Sequence, residues 1–281
     1  MRTAATPEEL RREIAALPSP LVLVPTMGAL HQGHLDLMHR AREIAGPQGT
    51  VAASIFVNPI QFDRAGDLAA YPQPLEQDLE KCRAAGVDLV FTPAADRMYF
   101  PDRSITIIEN LLSRHLCGAT RPGHFDGVCT VVMKLFNLFR PDAAVFGEKD
   151  YQQLAIICRM VRDLDVPVEI VGYPTVREPD GLAMSSRNAR LAPDHRADAP
   201  RIRRALEGAR SLLPLGERSA VPFLAAARKH LEESPFLKVD YLELVDAETL
   251  QPVARIQKPA VLATAAFYGE VRLIDNILLL P

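Results

Sequence analysis

The sequence predicts an α/β fold in which a doubly wound parallel sheet is followed by a smaller α+β domain. Between residues 21 and 172, short apolar runs alternate with stretches whose apolar residues recur every three or four positions. Several runs are apolar throughout, which is typical of parallel strands covered by helices on both faces. After about residue 176 this alternation stops. We therefore expect one domain at residues 1–175 and a second, smaller one at residues 176–281.

The elements of the first domain follow one another along the chain. Thr6 and Glu9 form a capping box around Pro7, which predicts the start of a helix. Further helices are indicated by apolar residues at helical spacing within residues 37–45, 75–82, 128–139 and 154–164. Strands are predicted at residues 21–24, 51–57, 87–91, 105–108, 143–146 and 166–172.

Two helices and three strands are predicted for the second domain. The helices cover residues 195–213 and 219–233, and the strands lie within residues 239–246, 259–269 and 270–279. The last two strands are apolar runs separated around Tyr268, Gly269 and Glu270, which predicts an antiparallel hairpin. The segment between the domains, residues 175–193, is polar and rich in turn residues, as expected of a hinge.

Composition and charge exclude several classes of protein. The formal net charge is −3 and there is no basic run, so the chain lacks the electrostatic footprint of nucleic-acid binding. No apolar stretch approaches the roughly 18 residues of a membrane helix, and the charged N-terminus does not resemble a signal peptide. The four cysteines form no CxxC pair, which argues against zinc and against a disulfide framework. We therefore expect a cytoplasmic protein whose partners are small molecules.

A doubly wound sheet binds its ligand at the carboxyl ends of the strands, so candidate site residues are sought first after each strand. PTMGALHQGH, residues 25–34, follows the first strand and places His31 and His34 at the start of a helix. A helix N-terminus favours anions, and the two imidazoles add donors there. Gly33 lets a flat ligand approach the backbone. This combination suits a triphosphate; the alternative is a turn with one surface histidine and one capping histidine.

Two later strands also end in polar side chains. In FVNPIQF, Asn58 and Gln61 are neutral amides that suit a small polar substrate, although a plain turn explains them equally well. In VFGEKDYQQL, Lys149 is a mobile positive charge suited to phosphate. Asp150 either caps the following helix or holds a ribose hydroxyl, and Gln153 lies one turn further on the same side.

The polar segment AMSSRN adds two hydroxyls and a guanidinium, from Ser185, Ser186 and Arg187. Such a segment suits closure over phosphates, and the alternative is an ordinary Ser/Thr turn at a helix start. Other nucleotide and hydrolase signatures are missing from the sequence: it contains no GxxxxGK[ST], no GxGxxG and no GxSxG.

PTMGALHQGH resembles the HxGH signature of the nucleotidyltransferase-like superfamily, which includes the class I aminoacyl-tRNA synthetases. Six blocks in order resemble the pantoate–β-alanine ligase family between about residues 21 and 277: PTMGALHQGH, FVNPIQF, RPGHFDGV, VFGEKDYQQL, AMSSRN and RLIDN. The resemblance implies a Rossmann-like sheet of the HxGH nucleotidyltransferase type, a second domain that closes over the active site, and a homodimer.

The resemblance also implies a reaction. Members of the family condense ATP with pantoate to give pantoyl adenylate and pyrophosphate, and β-alanine then attacks the adenylate to release AMP and pantothenate. A carboxylate that attacks a polyanion needs compensating positive charge, which Mg²⁺ bridging the phosphates would supply together with protein donors. The second step needs a neutral amine in a pocket that excludes water.

By the same resemblance, residues of this chain take specific roles. His34 is the expected proton donor, and His31, Lys149 and Arg187 are the other expected catalytic residues. Gln61 and Gln153 would hold pantoate, with Gln61 also near β-alanine and Asn58 beside them. The expected ATP contacts are Met27, Gly28, Ala29, Leu30, His31, Gln32, Gly33, His34, Gly147, Glu148, Lys149, Asp150, Val176, Met184, Ser185, Ser186 and Arg187.

The sequence departs from the family pattern after FVNPIQF. Residues 63–67 read DRAGD where GPxED is usual, which makes this flap atypical, and residues 71–73 read YPQ where YPR is usual. Gln77 precedes Asp78, so Asp78 is the single carboxylate of a pair that some members use beside the metal. It is the candidate Mg²⁺ ligand, and the alternative is a solvated helix face. Arg121 and His124 either approach the phosphates or order the neighbouring loop.

Three competing functions remain open at this stage. A nucleotidyltransferase that puts AMP onto a phosphorylated acceptor needs basic acceptor contacts, whereas Gln61 and Gln153 are neutral. A nucleotide sensor without activity would be expected to lose His34 or Lys149, and both are present. A tRNA synthetase is disfavoured by the acidic net charge and by the lack of an anticodon-binding extension.

Overall fold

The computed structural model describes residues 1–281, and the chain divides into two units. The first unit comprises Met1–Glu109, Gly123–Glu148 and Ile156–Pro174, and the second comprises Asn110–Pro122, Lys149–Ala155 and Thr175–Pro281. Two segments that the predicted first domain includes, residues 110–122 and 149–155, thus cluster with the second unit. The division into domains at residues 175 and 176 stays a prediction.

The chain forms strands and α-helices, with short 3-10 turns between some of them. The strands are β1 (Arg2–Ala4), β2 (Leu21–Thr26), β3 (Thr50–Ile55), β4 (Leu89–Phe91), β5 (Ala143–Gly147), β6 (Glu169–Tyr173), β7 (Leu237–Asp246), β8 (Ala260–Tyr268) and β9 (Val271–Leu279). The helices are α1 (Pro7–Ile14), α2 (Gln32–Ala45), α3 (Ala65–Ala69), α4 (Leu75–Ala84), α5 (Ala95–Met98), α6 (Leu116–Thr120), α7 (His124–Phe139), α8 (Tyr151–Asp163), α9 (Pro193–Asp198), α10 (Arg201–Arg210) and α11 (Ala220–Glu232). The 3-10 turns are Pro59–Gln61, Leu112–Arg114, Glu148–Asp150 and Ser186–Arg190.

The first unit is built on a sheet of six parallel strands in the order β1-β4-β3-β2-β5-β6. Helices α2 and α7 both pack against β2, which leaves Val22, Leu23 and Val24 fully buried. The chain moves outward from β2 to β3 and β4 and then returns to place β5 on the other side of β2. In such a sheet, ligands bind outside the carboxyl ends of the strands at this reversal. The predicted doubly wound sheet is confirmed.

The second unit contains a sheet of three antiparallel strands in the order β7-β8-β9. The β8–β9 hairpin pairs Ala260 with Leu279 at one end and Tyr268 with Val271 at the other. Helices α10 and α11 bury Leu206 and Phe223 in the same apolar core as the strands. The predicted α+β part and its hairpin are confirmed.

The strand predicted at residues 105–108 is wrong. Ile105 is 79% exposed and the segment has no regular structure. Its backbone groups bond to side chains of α7 instead of to a neighbouring strand: the N–H of Ile107 donates to Thr130 Oγ1 at 3.1 Å. The N–H of Glu109 donates in the same way to Asp126 Oδ1 at 3.2 Å. A run of β-branched residues indicates a strand only where a partner strand is present.

Two smaller differences concern element boundaries. β1 was not predicted, because a three-residue edge strand that contains Arg2 and Thr3 has no apolar pattern. The helix predicted at residues 195–213 is interrupted between α9 and α10, where Pro200 lacks a backbone N–H.

None of the helices combines the length and the apolar character needed to cross a bilayer.

Candidate active site

The loop that follows β2 has an unusual backbone. Gly28 and Ala29 are consecutive residues with positive φ, at 81° and 50°. A left-handed conformation is easy for glycine but uncommon for alanine, so the surroundings must hold Ala29 in place. Thr26 supports the start of the loop, because its Oγ1 donates to the carbonyl of Ser54 at 2.7 Å and accepts the N–H of Gly28 at 3.2 Å.

Helix α4 holds the rest of this loop through two charged side chains. The carboxylate of Asp78 accepts the N–H of Ala29 at Oδ2, at 2.7 Å, and the N–H of Leu30 at Oδ1, at 2.8 Å. Lys81 Nζ donates to the carbonyl of Leu30 at 2.6 Å. A Cβ on Gly28 would lie 3.0 Å from Asp78 Oδ2, so the loop packs closely on the carboxylate.

Asp78 is only 1% exposed, so the solvated helix face considered for it is wrong. Its two oxygens each accept a backbone N–H, and no group of three or more His, Cys, Asp or Glu side chains in the structure is arranged to hold a metal ion. Mg²⁺ in nucleotide sites keeps several waters and takes one or two carboxylates together with substrate phosphates. The contacts of Asp78 fit a residue that shapes the loop at residues 27–30, the predicted nucleotide loop, better than a ligand of Mg²⁺.

The two histidines lie side by side at the start of α2. His31 is the extended residue before the helix, and its backbone N–H donates to Nδ1 of His34 at 3.2 Å. The ring centroids are 4.1 Å apart. Because Nδ1 of His34 accepts a hydrogen bond, it carries no proton of its own, and a neutral His34 ring has its proton on Nε2. His34 therefore has a capping contact on one nitrogen and a donor on the other.

Asn58 and Gln61 are brought together after β3, in the turn Pro59–Gln61. They are 1% and 8% exposed, and Asn58 Nδ2 donates to Gln61 Oε1 at 2.8 Å. Gln61 Nε2 lies 3.1 Å from the sulfur of Met27, so a predicted substrate contact adjoins a predicted nucleotide contact. His124 Nδ1 donates to the carbonyl of Gln61 at 2.7 Å, which supports the loop-ordering alternative for this histidine.

In the second unit, Lys149 and Asp150 form an ion pair with Nζ and Oδ2 3.5 Å apart. The carbonyl of Lys149 accepts a hydrogen bond from Asn276 Nδ2 at 3.0 Å, so the RLIDN block holds the backbone at this residue. Gln153 is partly exposed in α8, whereas the neighbouring Gln152 is buried and donates to the carbonyls of Leu112 and His115.

The polar segment at residues 175–193, which contains AMSSRN, forms a small hairpin and then a 3-10 turn. The N–H of Met184 donates to the carbonyl of Val176 at 3.0 Å, which pairs two predicted nucleotide contacts through their backbones. Ser185 Oγ accepts the N–H of Arg187 at 3.3 Å and caps the turn Ser186–Arg190. The Ser/Thr turn considered for this segment is therefore present. Its assignment to phosphates stays a prediction.

Comparisons with known proteins show which family the chain resembles. A model of the Pantoate-beta-alanine ligase family matches residues 2–278. The chain is 58% identical over 258 residues to a pantothenate synthetase of Akkermansia muciniphila. The aligned region covers 92% of this chain and 91% of the relative. It is 46% identical over 282 residues to a pantothenate synthetase of Thermotoga petrophila, which covers 99% of this chain and all of the relative.

Solved structures resemble the chain as well. The crystal structure of pantothenate synthetase from Thermus thermophilus has a TM-score of 0.94 at 47% identity and covers 100% of both chains. A second crystal structure is of the pantoate–β-alanine ligase from Francisella tularensis, complexed with β-γ ATP and β-alanine. It has a TM-score of 0.76 at 30% identity, and the match covers 99% of this chain and 97% of the other.

The chain belongs to the pantoate–β-alanine ligase family. Sequence reasoning about this family member missed three supporting residues. Lys81 and Asn276 each bond to the backbone of an expected nucleotide contact. Tyr99 donates to Asn58 Oδ1 at 2.7 Å. Asn276 lies in the RLIDN block that carried the resemblance, so that block was a signal for it; Lys81 and Tyr99 had none.

Proposed function

We propose that the protein is an ATP-dependent pantoate–β-alanine ligase that joins (R)-pantoate to β-alanine and releases AMP and pyrophosphate through pantoyl adenylate. The observation that carries the proposal is the contact between Gln61 Nε2 and Met27 at 3.1 Å. It sets a buried, uncharged amide beside the loop expected to bind ATP. A neutral donor suits a hydroxy acid, whereas a phosphorylated acceptor would require positive charge at this point.

In the first step, the pantoate carboxylate attacks the α-phosphorus of ATP and pyrophosphate leaves. We propose that Nε2–H of His34 donates to phosphate oxygens as negative charge develops on them, with His31 beside it. The N–H groups at the start of α2, at Gln32 and Gly33, lie at the positive end of the helix dipole and favour the same anion. By family resemblance, Met27, Gly28, Ala29 and Leu30 also contact ATP.

The residues of the second unit enter the proposal by family resemblance alone. Lys149 and Arg187 are assigned to phosphates, and Gln153 to pantoate. The remaining assigned ATP contacts are Gly147, Glu148, Asp150, Val176, Met184, Ser185 and Ser186. Mg²⁺ is proposed to bind with ATP, on its phosphates. Asp78 is not assigned as a ligand of this ion, because both of its carboxylate oxygens already accept backbone N–H groups.

In the second step, the neutral amine of β-alanine attacks the carbonyl carbon of pantoyl adenylate and AMP leaves. An acyl adenylate hydrolyses in water, so a water-excluding site is required. Asn58 and Gln61 are buried and are proposed to line this site. We further propose, on the family resemblance, that the enzyme is a cytoplasmic homodimer; light scattering after size-exclusion chromatography tests the dimer.

The deciding experiment measures pyrophosphate release from ATP with pantoate present, first without and then with β-alanine. A release limited to about one equivalent per site without β-alanine, and many turnovers with it, is the expected result. Exchange of labelled pyrophosphate into ATP should likewise require pantoate. If release or exchange does not depend on pantoate, the ligase proposal is wrong, and a screen of phosphorylated acceptors then tests the nucleotidyltransferase alternative.

A further inference from the structure

A chain of hydrogen bonds links Tyr99 to the proposed substrate contact Gln61 through Asn58. Tyr99 follows α5, and its hydroxyl lies 2.7 Å from Asn58 Oδ1. Asn58 Nδ2 lies 2.8 Å from Gln61 Oε1 and 3.1 Å from the backbone carbonyl of Gly127 in α7. All four residues belong to the first unit, and Asn58 is 1% exposed, so water does not compete for these bonds.

The carbonyl of Gly127 fixes the direction of every bond in this chain. A backbone carbonyl can only accept, so the Asn58 atom that faces it must be the amide nitrogen. The oxygen of the same amide must then face Tyr99, whose hydroxyl donates to it. The second N–H of Asn58 points to Gln61, whose facing atom must be the oxygen. The orientation of the two amides, often ambiguous in protein structures, is thus determined by the backbone.

The result is that Gln61 turns its NH₂ group away from Asn58. This group lies 3.1 Å from the sulfur of Met27, and thioether sulfur is a weak acceptor. The backbone of Gln61 is held as well, because His124 Nδ1 donates to its carbonyl at 2.7 Å. The NH₂ group of Gln61 therefore points in a fixed direction, and a group that accepts hydrogen bonds, such as a carboxylate or hydroxyl oxygen, is its complement.

Gly127 allows the close approach on which this arrangement depends. A Cβ at this position would lie 2.5 Å from the carbonyl oxygen of Ile60 and 2.7 Å from the Cα of Gln61. Helix α7 and the turn Pro59–Gln61 can therefore touch backbone to backbone only because residue 127 is glycine.

Tyr99 keeps the proton that it donates. Burial raises the pKa of its hydroxyl, and the smaller opposing effect of the Arg103 charge does not reverse this. Arg103 and Lys134 both lie over its ring, at 5.4 Å and 5.8 Å from the centroid, which helps to fix the ring. The hydroxyl is therefore a permanent donor at neutral pH.

We propose that Tyr99 is a positioning residue for pantoate: through Asn58 it orients the amide of Gln61, so that the NH₂ group of Gln61 donates to an oxygen of the hydroxy acid. This inference rests on the proposed function and adds to it a residue that touches no substrate. The oriented amide favours a group that accepts hydrogen bonds, such as a hydroxyl or carboxylate oxygen, over one that can only donate them, such as an ammonium.

The test is Tyr99→Phe, assayed by pantoate-dependent exchange of pyrophosphate into ATP. Loss of one neutral hydrogen bond should raise the KM for pantoate about fivefold and leave the KM for ATP unchanged within about twofold. In a Gln61→Ala background, the same substitution should have no further effect on the KM for pantoate, because the amide that it orients is gone.

The matched control is Tyr268→Phe in the second unit. Its hydroxyl donates to Asp198 Oδ2 at 2.8 Å, so the variant also loses a buried tyrosine hydrogen bond, but in a network without any proposed site residue. It should lower the melting temperature and leave the KM for pantoate unchanged.

The outcomes separate the two proposals. Wild-type exchange without any pantoate dependence overturns the ligase function and the positioning role with it. Pantoate-dependent exchange in the wild type, with an unchanged KM for pantoate in Tyr99→Phe, overturns the positioning role alone. So does an equal effect of Tyr99→Phe in the wild-type and Gln61→Ala backgrounds, since the effect would then not pass through Gln61.

Discussion

The backbone N–H of His31 donates to Nδ1 of His34 at 3.2 Å, across a single helical turn. This bond selects the neutral ring with its proton on Nε2. A doubly protonated ring would have donors on both nitrogens and would lose the bond to His31. The contact thus makes His34 a neutral hydrogen-bond donor at the start of α2, and it separates a capping role for Nδ1 from a catalytic role for Nε2.

The first prediction distinguishes these two roles by substitution. Glutamine can set an amide N–H near the position of Nε2, whereas asparagine can set an acceptor near the position of Nδ1. If Nε2–H stabilises the transition state, His34→Ala and His34→Asn should lose about 10²-fold or more in the rate of adenylation. His34→Gln should retain more activity than either. The measurement is single-turnover pyrophosphate release with saturating ATP and pantoate.

The contrary result is also specific. If His34 acts only as a cap, Asn should retain more activity than Gln, and the melting temperatures should rank the variants in the same order as their rates. An unchanged rate in His34→Ala would remove the residue from catalysis altogether.

The second prediction concerns Asp78 and the nucleotide loop. In Asp78→Asn, one of the two acceptors becomes an NH₂ group that opposes the N–H of Ala29 or Leu30. Because this removes a charged acceptor from a strained loop, we expect the KM for ATP to rise about tenfold. The Mg²⁺ concentration for half-maximal rate, measured at saturating ATP, should stay the same.

Glu76→Gln is the matched control, since Glu76 is an exposed carboxylate on the same helix. It should alter neither the KM for ATP nor the dependence on Mg²⁺. A large rise in the Mg²⁺ requirement of Asp78→Asn, with an unchanged KM for ATP, would favour Asp78 as a metal ligand and contradict the loop-shaping role.

The third prediction compares two glycines in helices. Gly127→Ala introduces a Cβ within 2.5 Å of the Ile60 carbonyl, so the turn Pro59–Gln61 must move. We expect a loss of about 1–3 kcal/mol in the free energy of unfolding and a higher KM for pantoate. Gly208→Ala in α10 meets no atom within 4 Å and should instead stabilise the protein by up to about 1 kcal/mol. Urea unfolding measures both, and equal stability changes of the same sign would refute the packing argument.

Local signals in the sequence predicted five of the six strands of the first sheet, all except the short edge strand β1, and added a false one at residues 105–108. Residues 27–34 and the pair Asn58 and Gln61 were chosen as candidate site residues because the carboxyl ends of parallel strands are where such a sheet binds ligands, and these assignments stay predictions. The chemistry itself came from the resemblance of six blocks to one family, since two histidines and a lysine are compatible with several nucleotide-dependent reactions.

Contacts between residues distant in sequence could not be predicted from local patterns. Asp78 bonds to Ala29 across 49 positions, and Asn276 to Lys149 across 127 positions. A signal for the burial of Asp78 was nevertheless present. It lies four residues before Cys82, on the face that the helix buries, and a carboxylate on that face requires hydrogen-bond partners.

The fourth prediction concerns acid stability of the second unit. Burial alone would raise the pKa of Asp198, but hydrogen bonds from Ser234, Arg201 and Tyr268, at 2.5, 2.9 and 2.8 Å, lower it below its usual value. The stabilisation is therefore fully present above about pH 4, the usual pKa of an unfolded aspartate, and is lost as the pH falls through the lower folded value.

Asp198→Asn should accordingly lower the free energy of unfolding by about 1–3 kcal/mol at pH 7, and its difference from the wild type should shrink as the pH falls below about 4. Asp180→Asn is the control, because the Asp180–Arg196 pair is 2.5 Å long but the carboxylate is 42% exposed, and an exposed ion pair contributes little. Urea unfolding between pH 3 and pH 7 measures both variants. A pH-independent difference for Asp198→Asn would mean that the shape of the side chain matters there and its charge does not.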